Sequence, residues 1–142
     1  MMNDFGASKV RNEVLLVGRI LLMALFLIFG WGKLMNFSGT EGYFAHIGTP
    51  MPVLATAIAV IMEVFVALAI IIGFLTRPLA LLMALYTLGT ALIGHHYWSV
   101  TGPEHIESMI NFYKNVSIIG GLFVLYVSGA GRYSVDAALR LA

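Results

Sequence analysis

Arg19, Lys33, Glu63 and Lys114 are the side chains of this sequence that most need a chemical explanation, because each interrupts a long apolar run. An ionisable group inside such a run is expensive and usually faces protein or a polar cavity. His95, His96 and Asn115 lie near the ends of the same runs. Lysine and asparagine donate hydrogen bonds to an anion or a polarised carbonyl. A carboxylate deep in apolar surroundings must be protonated, paired or open to a polar cavity, so it can hold or pass a proton.

Helical spacing groups these residues. Arg19, Met23, Phe26, Gly30 and Lys33 recur at steps of four and three, so they share one face. At 1.5 Å rise per residue the two charges stand about 21 Å apart along the axis. Ala59, Glu63 and Ala67 form a second stripe, with small residues that let a neighbouring helix approach. Asn111, Lys114, Asn115 and Ile118 share a third face, and Tyr86, Gly89, Ile93 and His96 approximate a fourth. Among the embedded groups three are basic and one is acidic, a surplus that an anion, an anionic lipid headgroup or a quinone carbonyl would suit. Lys33, Glu63, Lys114 and Asn115 are therefore the expected lining of a pocket opening outward, with Tyr86, His96 and Arg19 as further candidates.

Each residue also has a plainer role. Lys33 and Lys114 suit snorkelling anchors. Arg19 suits a phosphate headgroup at the inner face. Glu63 suits an ion pair that fixes the bundle. Adjacent helical residues point about 100° apart, so His95 and His96 do not readily grip one ion, and no metal site is expected.

Other chemistries are excluded. The chain has no cysteine, which removes disulfides, thiol nucleophiles and thiolate clusters. Phosphate-binding loops, dinucleotide fingerprints, zinc-protease motifs and nucleophile elbows are missing from it. Its net charge is +1 and it has no basic run, so nucleic acid is not an expected partner.

The elements that must hold these residues are membrane helices. Of 142 residues, 60% are hydrophobic and 11% charged, against roughly a quarter charged in soluble domains. A span needs about 20 apolar residues, and four segments qualify: about Val14 to Met35, Val53 to Leu75, Pro78 to Trp98 and Phe112 to Gly129. The expected fold is all-α, one domain over residues 1–142, an integral membrane four-helix bundle in contact with the lipid bilayer. The first run is too long for a cleaved signal and is read as a retained helix. Tyr43, Phe44 and His46 mark the first loop as a short interfacial helix, and Ser99 to Asn111 reads as a polar loop. Lys9, Arg11, Arg77, Arg132 and Arg140 fall on one side and Glu41, Glu104 and Glu107 on the other. Positive-inside logic puts both termini in the cytoplasm.

Several motifs carry a family resemblance. They are Gly-Trp-Gly-Lys-Leu (Gly30 to Leu34), Ile-Gly-Thr-Pro-Met-Pro (Ile47 to Pro52), Met-Glu-Val around Glu63 and Gly-Phe-Leu-Thr-Arg-Pro (Gly73 to Pro78). Gly-His-His-Tyr-Trp (Gly94 to Trp98), Asn-Phe-Tyr-Lys-Asn-Val (Asn111 to Val116) and Gly-Arg-Tyr-Ser-Val-Asp (Gly131 to Asp136) complete the set. From about Gly18 to Asp136 the chain resembles the DoxX family, in its YphA-like branch of small bacterial inner-membrane proteins. The resemblance implies a four-helix inner-membrane protein with Lys33, Glu63, Lys114 and Asn115 at recurring polar positions. It also implies kinship with the small membrane subunits of thiosulfate:quinone oxidoreductase. The expected function is a membrane subunit or accessory protein of a quinone-linked oxidoreductase system, with a redox partner protein supplying electrons. A small-anion permease, which with so few helices would favour a homodimer, and a non-catalytic scaffold are the alternatives.

Overall fold

A computed structural model describes residues 4–141. Helix α1 (Arg11–Met35) is followed by the short α2 (Phe37–His46), then α3 (Pro52–Ile72) and α4 (Thr76–Gly94). A single 3-10 turn (Tyr97–Ser99) leads to α5 (Pro103–Ser128) and a final short helix, α6 (Val135–Ala138). Among the described residues there is no strand. Four helices are long and apolar enough to cross a membrane: α1, α3, α4 with its following turn, and α5. Apolar side chains such as Leu21, Phe29, Leu85, Val124 and Val127 face outward. Water penalises such a surface and lipid does not.

Local chemistry sets the element ends. The Asn36 side chain accepts from the Gly39 amide at 3.2 Å and starts α2, the interfacial helix expected in the first loop. Pro52 and Pro103 occupy the first turns of α3 and α5, where a missing N–H costs nothing. Gly73, with φ +74°, ends α3 in the left-handed region. Ser134 caps α6 by accepting from the Ala137 amide at 3.1 Å.

Two boundaries differ from the sequence expectation. Helix α5 begins at Pro103 rather than near Phe112, because Gly102-Pro103 initiates a helix even where the next turns are polar. The expected loop from Ser99 to Asn111 is therefore mostly helix. Helix α4 stops at Gly94, short of Trp98, and His95 and His96 lie beyond it.

Helix α1 packs along α3, and α4 packs most extensively on α5. Met23, Phe26, Met62, Ile70, Met83 and Leu122 join the two pairs in one buried cluster. One end of the bundle gathers the start of α1, the α3–α4 turn and the end of α5. There the Arg132 amide donates to Asn12 Oδ1 at 2.9 Å, and the Tyr133 hydroxyl donates to Glu13 at 3.1 Å. Both ends of the described chain thus lie at one end of the bundle.

Candidate functional site

The middle of α3 departs from the α-helical pattern. Residues Ile61–Val66 form a π-helical turn with Glu63 inside it. Such a bulge inserts an extra residue into the turn and re-aims nearby side chains, often at functional positions. Opposite stands Gly30 of α1, buried, with an open Cβ position only 2.5 Å from Glu63 Cβ and 2.8 Å from its backbone carbon. The missing side chain at residue 30 lets the two helices touch backbone to backbone. Ala59 and Ala67, one turn either side of Glu63, are also buried, as small contact residues should be.

One turn beyond Gly30, Lys33 reaches the same spot. Helical side chains lean toward their own N-terminus. Lys33 therefore leans inward along α1, while Glu63, on the oppositely directed α3, leans toward it. Lys33 Nζ donates to Glu63 Oε2 at 2.6 Å, the one ion pair among the described residues. From α4 the Tyr86 hydroxyl donates to the other oxygen, Glu63 Oε1, also at 2.6 Å. The carboxylate is 9% exposed and the Lys33 side chain 23%, so the lysine is the open edge of the triad. Both carboxylate oxygens are satisfied, which is what lets a charge persist at this depth. Lys33 keeps further N–H donors, because an ammonium has three.

The structure brings Lys33, Glu63 and Tyr86 together and places the other candidates elsewhere. Lys114 donates to Asn111 Oδ1, one turn earlier on its own helix, at 2.7 Å, and forms no ion pair with Glu63 among the described residues. Asn115 is buried between α4 and α5, where Nδ2 donates to Thr90 Oγ1 at 3.1 Å and reaches the Thr87 carbonyl at 3.5 Å. It fastens those two helices. His96 does not continue the Tyr86 stripe, because α4 has already ended; its Nδ1 meets Ser99 Oγ at 2.6 Å. Beside it, Trp98, His105, Phe112 and Tyr113 pack around Tyr97 as an aromatic cluster, which His96 meets through Trp98.

Arg19 is 1% exposed, so the expected headgroup contact is not made. Its Nη2 donates instead to the Tyr133 carbonyl at 2.5 Å. It lies beneath Gly73 and Ser134, where a Cβ at residue 73 would collide with it. Asp136, overlooked in the sequence, is the acidic member of this second node. It is buried and accepts the Leu75 amide at 2.7 Å and the Thr76 amide at 2.9 Å. The signal that could have found it is Ser134 two residues earlier, a helix cap that turns Asp136 inward.

Four apolar helices around a buried Lys–Glu–Tyr cluster define an integral membrane bundle with a polar interior site. The DoxX family model matches residues 14–96, and the chain belongs to the DoxX family. It is 53% identical over 133 residues to inner membrane protein YphA of Escherichia coli K12, covering 94% of each chain. It is 38% identical over 133 residues to inner membrane protein YqjF of the same organism, covering 94% of this chain and 97% of that one. The ER-derived vesicles protein ERV29 of Saccharomyces cerevisiae is 24% identical over 134 residues, 94% of this chain but 36% of the relative. No solved structure gives a significant match.

Proposed function

We propose that this chain is a bacterial inner-membrane subunit or accessory protein of a quinone-linked oxidoreductase system, with Lys33, Glu63 and Tyr86 as its working site. The location is supported by the names of its two Escherichia coli relatives, both inner membrane proteins. The basic residues Arg11, Arg77 and Arg132 gather at the end holding both termini, which supports a cytoplasmic position for that end.

The observation that carries the functional reading is the double engagement of Glu63 inside a π-helical turn. A buried carboxylate clamped by an ammonium and a phenol is placed to take up and release a proton. Lys33 is its partly exposed edge. The donor set fits a quinone: the remaining Lys33 N–H groups suit a carbonyl oxygen, and Glu63 can take or return a proton through Lys33 or Tyr86. When bound, a quinone supplies the electron-accepting ring. The free Lys33 N–H groups would orient it, and Glu63 would take up or return the proton. Electrons must come from a redox partner protein, since the chain has no cysteine and no cofactor-attachment motif.

The scaffold reading rests on the same pair of hydrogen bonds, because Glu63 needs no ligand to satisfy its oxygens. Mass spectrometry of lipids and quinones co-purifying in mild detergent separates the two. Quinone enriched with wild type and lost in a Lys33→Gln, Glu63→Gln double variant is the expected result. Equal quinone in both samples assigns the triad to the scaffold.

A further inference from the structure

The end of the bundle that holds both termini carries a second polar site, unrelated to the triad. A cleft of about 290 Å³ opens there between the start of α1, the start of α4 and the turn after α5. Three guanidinium groups, Arg11, Arg77 and Arg132, line it, and no carboxylate does. The acidic residues nearby are committed elsewhere: Glu13 accepts from Tyr133, and Asp136 accepts two backbone amides.

Two of the arginines are held in place by the end of α5. Arg77 Nη1 donates to the Tyr126 and Val127 carbonyls at 2.6 and 2.8 Å, and Arg11 Nη2 donates to the Ser128 carbonyl at 3.2 Å. Capping those carbonyls explains one nitrogen of each side chain. It leaves Arg77 Nε and Nη2 without a protein acceptor among the described residues, and it does not involve the Arg132 side chain. The turn itself is shaped by Gly129 and Gly131, with φ +71° and +77°. A side chain at 129 would press on Arg77 Nη2, 3.1 Å away. The turn is tied to α1 through Asn12 Oδ1.

We infer that this three-arginine cleft binds a phosphate group. Guanidinium forks match phosphate oxygens in pairs, and preorganised forks lose little freedom on binding. Arg11 and Arg77 stand at the starts of their spans and Arg132 follows the end of the last one, the depth at which a bilayer around these spans would place its headgroups. Basic pockets between helix ends at that depth take anionic headgroups. The phosphate belongs either to an anionic phospholipid or to a soluble phosphate compound.

Native mass spectrometry in detergent tests this on the full chain with three probes: phosphatidylglycerol, phosphatidylcholine and inorganic phosphate. Arg132→Gln is the diagnostic variant, since its side chain makes no hydrogen bond within the described residues. Arg140→Gln, exposed and outside the cleft, is the charge-matched control. The expected result is preferential retention of phosphatidylglycerol over phosphatidylcholine. Arg132→Gln should reduce that preference about fivefold, the worth of one basic residue near such a surface, and Arg140→Gln should not. Retention of inorganic phosphate that is lost in Arg132→Gln, with no lipid preference, confirms the phosphate site and assigns it to a soluble ligand. Equal retention of both lipids with no phosphate bound overturns the inference. So does an equal effect of Arg132→Gln and Arg140→Gln.

Discussion

Gly30 and Glu63 face each other so closely that a methyl group on residue 30 would lie 2.5 Å from Glu63 Cβ. This contact joins backbone to backbone and sets where α1 crosses α3. It also decides what Lys33 can reach, because Lys33 stands one turn along the same face of α1. The glycine therefore positions the ion pair through the Glu63 backbone rather than through its charged atoms.

Gly30→Ala should force the two helices apart and destabilise the protein by about 1–3 kcal/mol, the usual cost of overpacking. Gly32→Ala adds the same methyl where nothing lies within 4 Å and should be neutral or slightly stabilising. Thermal unfolding in detergent compares the two. Equal melting temperatures for both variants would contradict the close crossing.

The Lys33–Glu63 pair is mostly shielded but open on the lysine side, since the lysine is 23% exposed and the carboxylate 9%. Removing only the carboxylate charge, as in Glu63→Gln, lets Lys33 swing outward, so the loss should stay near 1–2 kcal/mol rather than the larger cost of stranding a fully buried charge. A double-mutant cycle with Lys33→Gln should give a coupling energy of about 1 kcal/mol. Simple additivity of the two single effects would show that the pair is not coupled in the folded protein.

Tyr86→Phe removes one hydroxyl and leaves Glu63 Oε1 without its donor at 2.6 Å. Interhelical hydrogen bonds inside membrane bundles are worth about 0.6–1.7 kcal/mol, and the loss should fall in that range. Guanidinium-induced unfolding of the two forms measures it. Retained quinone in this variant, alongside loss in the Lys33→Gln, Glu63→Gln double variant, would place the ligand contact on the lysine side.

The four spans were legible because apolar length is a strong signal, and the α1 face from Arg19 to Lys33 was legible because period and composition agree. Pairing was harder. A stripe shows which residues share a face but not which neighbour it meets, so spacing alone groups Lys114 with Glu63 although its ammonium turns to Asn111 on its own helix. The helical period aligns His96 with Tyr86 only if the helix continues past Gly94, where it ends. The π-helical turn at Glu63 has no composition signature, because any residue can supply the extra position. Asp136 escaped notice because it lies outside every apolar run, yet the turn after α5 folds it back against α3 and α4.

Asp136 gives the sharpest test of that folding back. Its two oxygens hold the Leu75 and Thr76 amides, the first free donors of α4, and its own amide donates to the Gly73 carbonyl at 2.8 Å. Arg19 is buried against the same turn and attracted to it without a direct ion pair. Asp136→Ala should therefore lose a helix cap worth about 0.5–2 kcal/mol. It should also remove a nearby carboxylate charge from Arg19, whose one side-chain hydrogen bond among the described residues is to the Tyr133 carbonyl, adding a further penalty for a buried charge without its counterpart. Replacing both partners removes that second penalty, since an apolar side chain of similar length tolerates the site. The Arg19→Met, Asp136→Ala double variant should consequently be more stable than the sum of the two single losses predicts. Unfolding free energies of the four proteins in one detergent decide it. Strict additivity would mean that Arg19 and Asp136 act independently, the arginine as a packed stem and the aspartate as a cap alone.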